Sequence, residues 1–439
     1  MPAPTFPALG NRNFRLFLSG QFISQCGTWM QSVARGWLVL QLSNSAFAVG
    51  LVTTLGSLPI LLFTLYGGVV ADRVNKHRLV VILQSLMMIE ALLLGLLTEF
   101  DRITVHWVMG LAAFYGLLAA FEVPTRQAMI SEIVGRDDLM NAIALNSSAF
   151  NVARVVGPAL AGVLISAVGI AACFYANAAS YLAVVTGLLL MRLGPRAEPK
   201  LTRTLDAMRE GFGYVFGNRW PRALVTIIAT FAVFGFSFMV MMPVFARDVL
   251  HLGASGYGAI ISAVGVGAAA AAILMAALGS RVERGRVVLA SSVLFGLLLT
   301  ASAFARGFWS AAALFTVTGG LMALNSIAAN TTLQLEAPDW LRGRVMGFYS
   351  FVVLGMAPLG SLQAGWVAEH FGVRTSLALG GAICFVVAVT VGIRVTRADR
   401  ESEAGIEARP DLIHHGSTEG TEATRTPETV GERGEHQQI

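Results

Sequence analysis

The sequence predicts an all-α membrane protein of twelve transmembrane helices in two pseudo-symmetric six-helix bundles. Three observations predict it. The 439 residues are 55% hydrophobic and only 13% charged, about half the charged share of a typical soluble domain. Apolar runs of about 20 residues, enough to cross a bilayer, recur along the chain. A motif also repeats: Gly68-Val-Val-Ala-Asp72-Arg73-Val-Asn75-Lys76-His77-Arg78 is echoed by Gly279-Ser280-Arg281-Val-Glu283-Arg284-Gly-Arg286. In each copy a small residue closes an apolar run, a basic turn follows, and a new run begins, as a duplicated helical unit requires.

The runs fall at 14–40, 46–70, 78–99, 104–123, 139–166 and 170–192, then at 221–247, 255–279, 286–305, 308–330, 343–368 and 375–397. Residues 14–192 form the first bundle and 221–397 the second. A short N-terminus, 1–13, precedes them, with no apolar core and small-residue cleavage site that would mark a removable signal. The connector 193–220 carries Leu205, Met208, Phe212, Val215 and Phe216 at helical spacing, an amphipathic helix from about Arg203 to Phe216. The tail 398–439 is acidic, lacks aromatic residues and is expected to be disordered. Lys and Arg concentrate in alternate loops, among them Arg73, Lys76, Arg78, Arg126, Arg136, Arg281, Arg284, Arg342 and the connector. That asymmetry puts both termini in the cytoplasm. It also accounts for the net charge of +5 without a nucleic-acid partner.

The first run is unusually polar. Gln21, Gln25, Thr28, Ser32 and Arg35 are separated by four, three, four and three residues, so they share one helical face, widened by Ser24 and Gln31. An Arg facing lipid at a helix centre costs roughly 2.5–3.5 kcal/mol, so this stripe is expected to line a water-filled pathway. Asn151 and Arg154, with Ser147, make a similar stripe in the fifth run. Opposite them, Phe231, Phe234, Phe238 and Met242 in the seventh run and Thr318, Met322 and Asn325 in the tenth offer an aromatic and polar wall. Glu90 is the only deeply placed carboxyl and hence the candidate proton carrier. Glu122 is expected to pair with the basic turn near Arg73 and Arg78. Arg35 and Arg154 would make the cavity positive, unless Glu90 locks one of them. Gly157, Pro158 and Gly162 suit a close crossing with a helix of the other bundle.

Cys26, Cys173 and Cys384 are far apart in apolar runs, so neither a disulfide framework nor a metal site is suggested. The chain has no phosphate-binding Gly-x-x-x-x-Gly-Lys loop. No catalytic set can be nominated, and no cofactor is expected.

Over residues 10–397 the chain resembles the major facilitator superfamily. Gly68 to Arg78 is similar to that family's loop signature between the second and third helices, with Asn75 where a Gly is usual. The resemblance implies a gate at Gly68, Asp72, Arg73, Lys76 and Arg78, with Arg281 in the weaker second copy and Glu122 nearby. Arg154-Val-Val-Gly157-Pro158-Ala-Leu-Ala-Gly162 is similar to the fifth-helix motif of its exporting branches. Pro124-Thr-Arg126-Gln127-Ala128, Leu139-Met-Asn141-Ala142, Asn146-Ser147-Ser148 and Gly27-Thr-Trp29-Met30-Gln31 resemble the branch of the enterobactin exporter and macrolide-efflux-type drug:proton antiporters. That branch implies a monomeric exporter in the cell membrane. It would move small amphiphilic molecules, drug or siderophore-like, by alternating access coupled to protons. Import, lysophospholipid flipping and a transporter-like receptor or scaffold remain the alternatives.

Overall fold

The computed structural model describes residues 6–135, 138–191, 212–279, 281–338 and 340–407. Twelve long helices run through them. The first six are α1 Arg12–Ser43, α2 Ala46–Arg73, α3 Lys76–Glu99, α4 Val105–Val134, α5 Leu139–Ala167 and α6 Ile170–Leu189. The second six are α7 Arg219–Val249, α8 Ala254–Leu278, α9 Arg284–Ser302, α10 Phe308–Glu336, α11 Arg342–Phe371 and α12 Val373–Glu407. Eleven are long and apolar enough to span a membrane. The other is α1, whose 32 residues give ample length at 1.5 Å per residue but whose polar stripe dilutes its hydropathy.

Local chemistry starts several of these helices. Asn11, Ser45, Asn75 and Thr104 each accept a hydrogen bond from a backbone N–H of the first turn they cap. Asn75 is therefore an N-cap with φ −70°, and not the left-handed stand-in for Gly that the turn suggested. At the other end of a helix, Gly279 closes α8 with φ 55°, a conformation that suits Gly.

Packing repeats between the halves. α2 lies along α4 and α3 along α4; correspondingly, α8 lies along α10 and α9 along α10. Two crossings join the bundles, α5 with α8 and α2 with α11, and they exchange under the same pseudo-symmetry. Both sets of helices pack as one unit up to Gly392, and a second unit begins at Ile393.

Two boundaries differ from the sequence reading. α4 does not stop at 123 but continues through Pro124 to Val134. Proline leaves the Ala120 carbonyl without its helical partner, and Gly67 of α2 packs directly on that carbonyl. α12 runs past 397 to Glu407, because Ala and Glu favour helix. The connector stretch 203–211 lies outside the described residues, as does the tail from 408. Residues 212–217 are helical; Val215 is buried, and Phe212 and Phe216 pack on Phe348 of α11.

Candidate substrate cavity

A cavity of about 310 Å³ opens inside the first bundle. Gln21, Gln25, Thr28, Gln31, Ser32 and Arg35 all line it, so the polar stripe of α1 faces one space. Tyr115 and Glu122 of α4 and Tyr181 of α6 close it, among others. A second cavity of about 210 Å³ shares Trp29, Ser32 and Arg35 but is otherwise mainly apolar, with Met239, Val240, Pro243, Tyr257 and Ile261 from α7 and α8. Arg35 thus stands where a polar chamber meets an apolar one.

Behind α1 runs a buried hydrogen-bond chain. Ser180 Oγ donates to Asn177 Oδ1 (2.9 Å), Asn177 Nδ2 to Gln31 Oε1 (2.7 Å), and Gln31 Nε2 to Glu90 Oε2 (2.9 Å). Glu90 is fully buried, and its other oxygen, Oε1, has no partner among the described residues. Arg35 sits 5.8 Å from the Tyr115 ring centroid, within cation–π range, and makes no hydrogen bond or ion pair among the described residues. The lock between Glu90 and an Arg is therefore not formed; Gln31 takes the carboxylate instead.

Glu122 departs from its expected partners. Its Oε1 accepts from Arg126 Nε at 2.8 Å and from Gln84 Nε2 at 2.9 Å, while Arg73 and Arg78 are exposed elsewhere. The cause is the extension of α4: Glu122 lies three turns before the helix end, and Arg126 follows one turn later on the same face. Gln84, Met87, Tyr115, Tyr181 and Phe150 were not legible as cavity residues, since each sits singly in an apolar run.

Four other expected pathway residues take structural positions. Phe238 is buried against Phe295 and stacks on Phe315 at 5.7 Å. Asn325 is buried and donates to Ser292 Oγ at 2.6 Å within the second bundle. Phe234 packs on the same apolar core. Asn151 Nδ2 donates back to the Ser147 carbonyl at 2.9 Å. Two π-helical turns in α7, Phe231–Gly235 and Phe245–Val249, explain the first three-and-four reading. They change the phase, so that Met239, Val240 and Pro243 meet the cavity instead. Arg154 is half-buried, with Nε unpartnered, and is outside both linings.

The bundles meet tightly at one end. A Cβ on Gly50 of α2 would lie 2.9 Å from Gly365 Cα of α11, and one on Gly258 of α8 would lie 2.9 Å from Gly162 Cα of α5. Gly157 serves a different contact, pressing on Trp29 and Cys26 of α1. Pro158 removes the helical partner of the Arg154 carbonyl, and Gly265 of α8 packs there, its Cβ position 3.1 Å from that oxygen. Farther along, Thr54 Oγ1 donates to the Pro358 carbonyl at 3.2 Å, whereas a Cβ on Gly68 or Gly347 would meet nothing within 4 Å among the described residues. The crossing therefore closes toward the α1–α2 turn, the sealed end, and opens toward the α2–α3 turn, the basic end. Gly68, expected at a close pass, is free in this state.

Charged side chains complete the seal. Glu369 of α11 accepts from Ser45 Oγ (3.0 Å) and Phe47 N (3.1 Å) at the start of α2. Arg247 of α7 donates to the Leu40 carbonyl (3.2 Å) and Asn44 Oδ1 (2.8 Å) at the end of α1. Each charge matches the helix terminus that it caps. At the basic end Lys76 pairs with Glu132 at 2.6 Å, Arg281 is exposed, and the side chain of Asp72 lies outside the described residues, as does Ser280.

In a cysteine-free background, cysteines at Gln25 and Ser32 should react with a small hydrophilic thiol reagent, and one at Ile23, on the outer face of α1, should not. Labelling of Ile23→Cys alone would reverse the assignment of that face.

Two six-helix bundles joined by two symmetric crossings, with a polar chamber inside the first and a mainly apolar one lined by both, define a membrane transporter of the major facilitator superfamily. The chain belongs to the family described as transmembrane secretion effectors, whose profile matches residues 3–415. It is 25% identical to a staphyloferrin A transporter of Staphylococcus aureus, over 85% of this chain and 94% of that one. It is 26% identical to the multidrug efflux pump Tap of Mycolicibacterium fortuitum, over 83% and 91%. The enterobactin exporter EntS of Citrobacter koseri is 25% identical over 80% and 85%. In fold it is similar to a bacterial homolog of the human lysosomal transporter Spinster, with a TM-score of 0.70, 13% identity, and 89% and 97% of the two chains covered.

Proposed function

We propose that this protein exports small amphiphilic molecules, drug or siderophore-like, across the cell membrane by proton-coupled alternating access. The observation that carries the reading is the cavity at Arg35, where polar α1 side chains face an apolar wall from α7 and α8. Relatives named as an efflux pump and a siderophore exporter support the direction. The clustering of Lys and Arg supports a cytoplasmic basic end with both termini inside. The cavity then opens to the cytoplasm, and the sealed end faces out. Residues 14–192 and 221–397 would be the two moving bodies, and the chain would work as a monomer. Asp72, Arg73, Lys76 and Arg78 would form the gate that closes the basic end when the bundles rock.

Glu90 is the proton carrier in this reading. It is fully buried with one oxygen unpartnered, yet it touches the cavity through Gln31. Cells producing the protein should accumulate less of a transported compound, and a protonophore should abolish the difference. The Glu90→Gln variant should retain downhill exchange in vesicles but lose transport against a gradient. Uphill transport that survives in Glu90→Gln would remove Glu90 from the coupling step; accumulation that rises with the protein would overturn export.

A further inference from the structure

We infer that Arg35 is the binding group for an acidic function on the substrate, so that the cavity selects amphiphilic acids carrying a hydroxyl or amide donor. The inference rests on the transport reading for its meaning but on separate observations for its chemistry. Two cations line the larger cavity, Arg35 and Arg126. Arg126 is already committed through Nε to Glu122, whereas the Arg35 guanidinium lies by the Tyr115 face and, among the described residues, makes no hydrogen bond or ion pair, with Glu90 acting on it only through space. A guanidinium inside a membrane protein is costly unless something accepts its hydrogen bonds. Glu90 stands behind Gln31 and is absent from the lining, and the lining's own carboxyl, Glu122, is held by Arg126 and Gln84.

Two buried amides extend the site. Gln21 and Gln84 are each 3% exposed and line the same chamber. Among the described residues Gln21 Nε2 has no partner, and Gln84, whose Nε2 is given to Glu122, keeps an unpartnered Oε1. Buried polar atoms left unpaired are uncommon in folded proteins. Here one donor, one acceptor and one cation wait around one space, complementary to a carboxylate with an adjoining hydroxyl. Trp29 and Tyr257 with Met239 and Val240 offer the adjoining apolar surface, and a planar guanidinium suits a carboxylate in two-point contact. A lipophilic cation would meet Arg35 as a like charge with no such contacts.

The test uses purified full-length protein and three probes of one skeleton: mandelate, its neutral amide mandelamide, and the cationic amine phenylethanolamine. Affinities are read by saturation-transfer NMR titration. Mandelate should bind the wild type more tightly than either analogue. Arg35→Gln should weaken mandelate about tenfold or more and leave mandelamide unchanged, with Arg35→Lys recovering part of the loss. Retained mandelamide binding also reports that the variant is folded. An equal loss of acid and amide would assign Arg35 a structural role and overturn the inference. So would undiminished mandelate binding in Arg35→Gln, or a wild type that does not prefer the acid. Because binding is measured without a gradient, failure of the export reading in cells leaves this outcome independent.

Discussion

Replacing Glu122 with Gln lowers the stability of the detergent-purified protein by about 3–5 kcal/mol, the range for stranding one member of a buried ion pair. Arg126 and Glu122 side chains are only 11% and 6% exposed, so water in the chamber they line replaces the lost carboxylate only in part. Gln84 keeps an amide oxygen to donate to but loses the stronger, charged acceptor. Removing both charges, as Glu122→Gln with Arg126→Gln, should recover most of the loss, because a neutral pair needs no counter-charge. Thermal unfolding of the two single variants and the double variant completes the cycle. Strict additivity would mean that the pair contributes nothing, and the chamber would then be held by packing alone.

The second large effect is at the crossing of α5 and α8. Gly258→Leu puts a branched side chain where a Cβ alone would lie 2.9 Å from both Cα and N of Gly162. Overpacking of this kind typically costs 1–3 kcal/mol or more, and here backbone stands on the far side, so the helices must separate. Transport should stop, and a cysteine at Val52, now buried beside the second cavity, should become reactive to an impermeant reagent applied at the sealed end. Gly68→Leu makes the contrast. Its Cβ meets nothing within 4 Å among the described residues, but the side chain obstructs closure of the basic end, so it should stop transport while Val52→Cys stays protected. Protection in both variants would show that the α5–α8 contact does not hold the seal.

Helix number, the α1 stripe and the repeat were legible because each is a periodic property of one segment. A helix displays i, i+3, i+4 and i+7 on one face whatever surrounds it, and Gln21 to Arg35 kept that spacing through to the cavity. What escaped depended on partners. Tyr115 and Tyr181 are single residues whose neighbours come from other helices. Glu122 was expected beside Arg73 and Arg78, but α4 continues past 123 through Pro124, with Gly67 against the Ala120 carbonyl, and puts Arg126 within reach of the carboxylate. Asn325 looked like a pathway residue because it is polar, but its amide is occupied by Ser292. The caps from Glu369 and Arg247 join residues more than 200 positions apart and leave no local trace.

The π turns of α7 carry a consequence of their own. Each holds one residue more than an α turn would, and one residue corresponds to about 100° around a helix. Deleting one residue from 231–235 would let that turn rewind as α with nearly the same total rotation, leaving Met239, Val240 and Pro243 on the chamber; rewinding it with no residue removed would rotate all that follows by about 100° and bring a different row inward. The backbone would remain helical and the span nearly as long. Within this one helix, the wall that faces the cavity is set by how two turns are wound as much as by residue type, so a substitution that rewinds one of them would change the wall without altering a side chain that lines it.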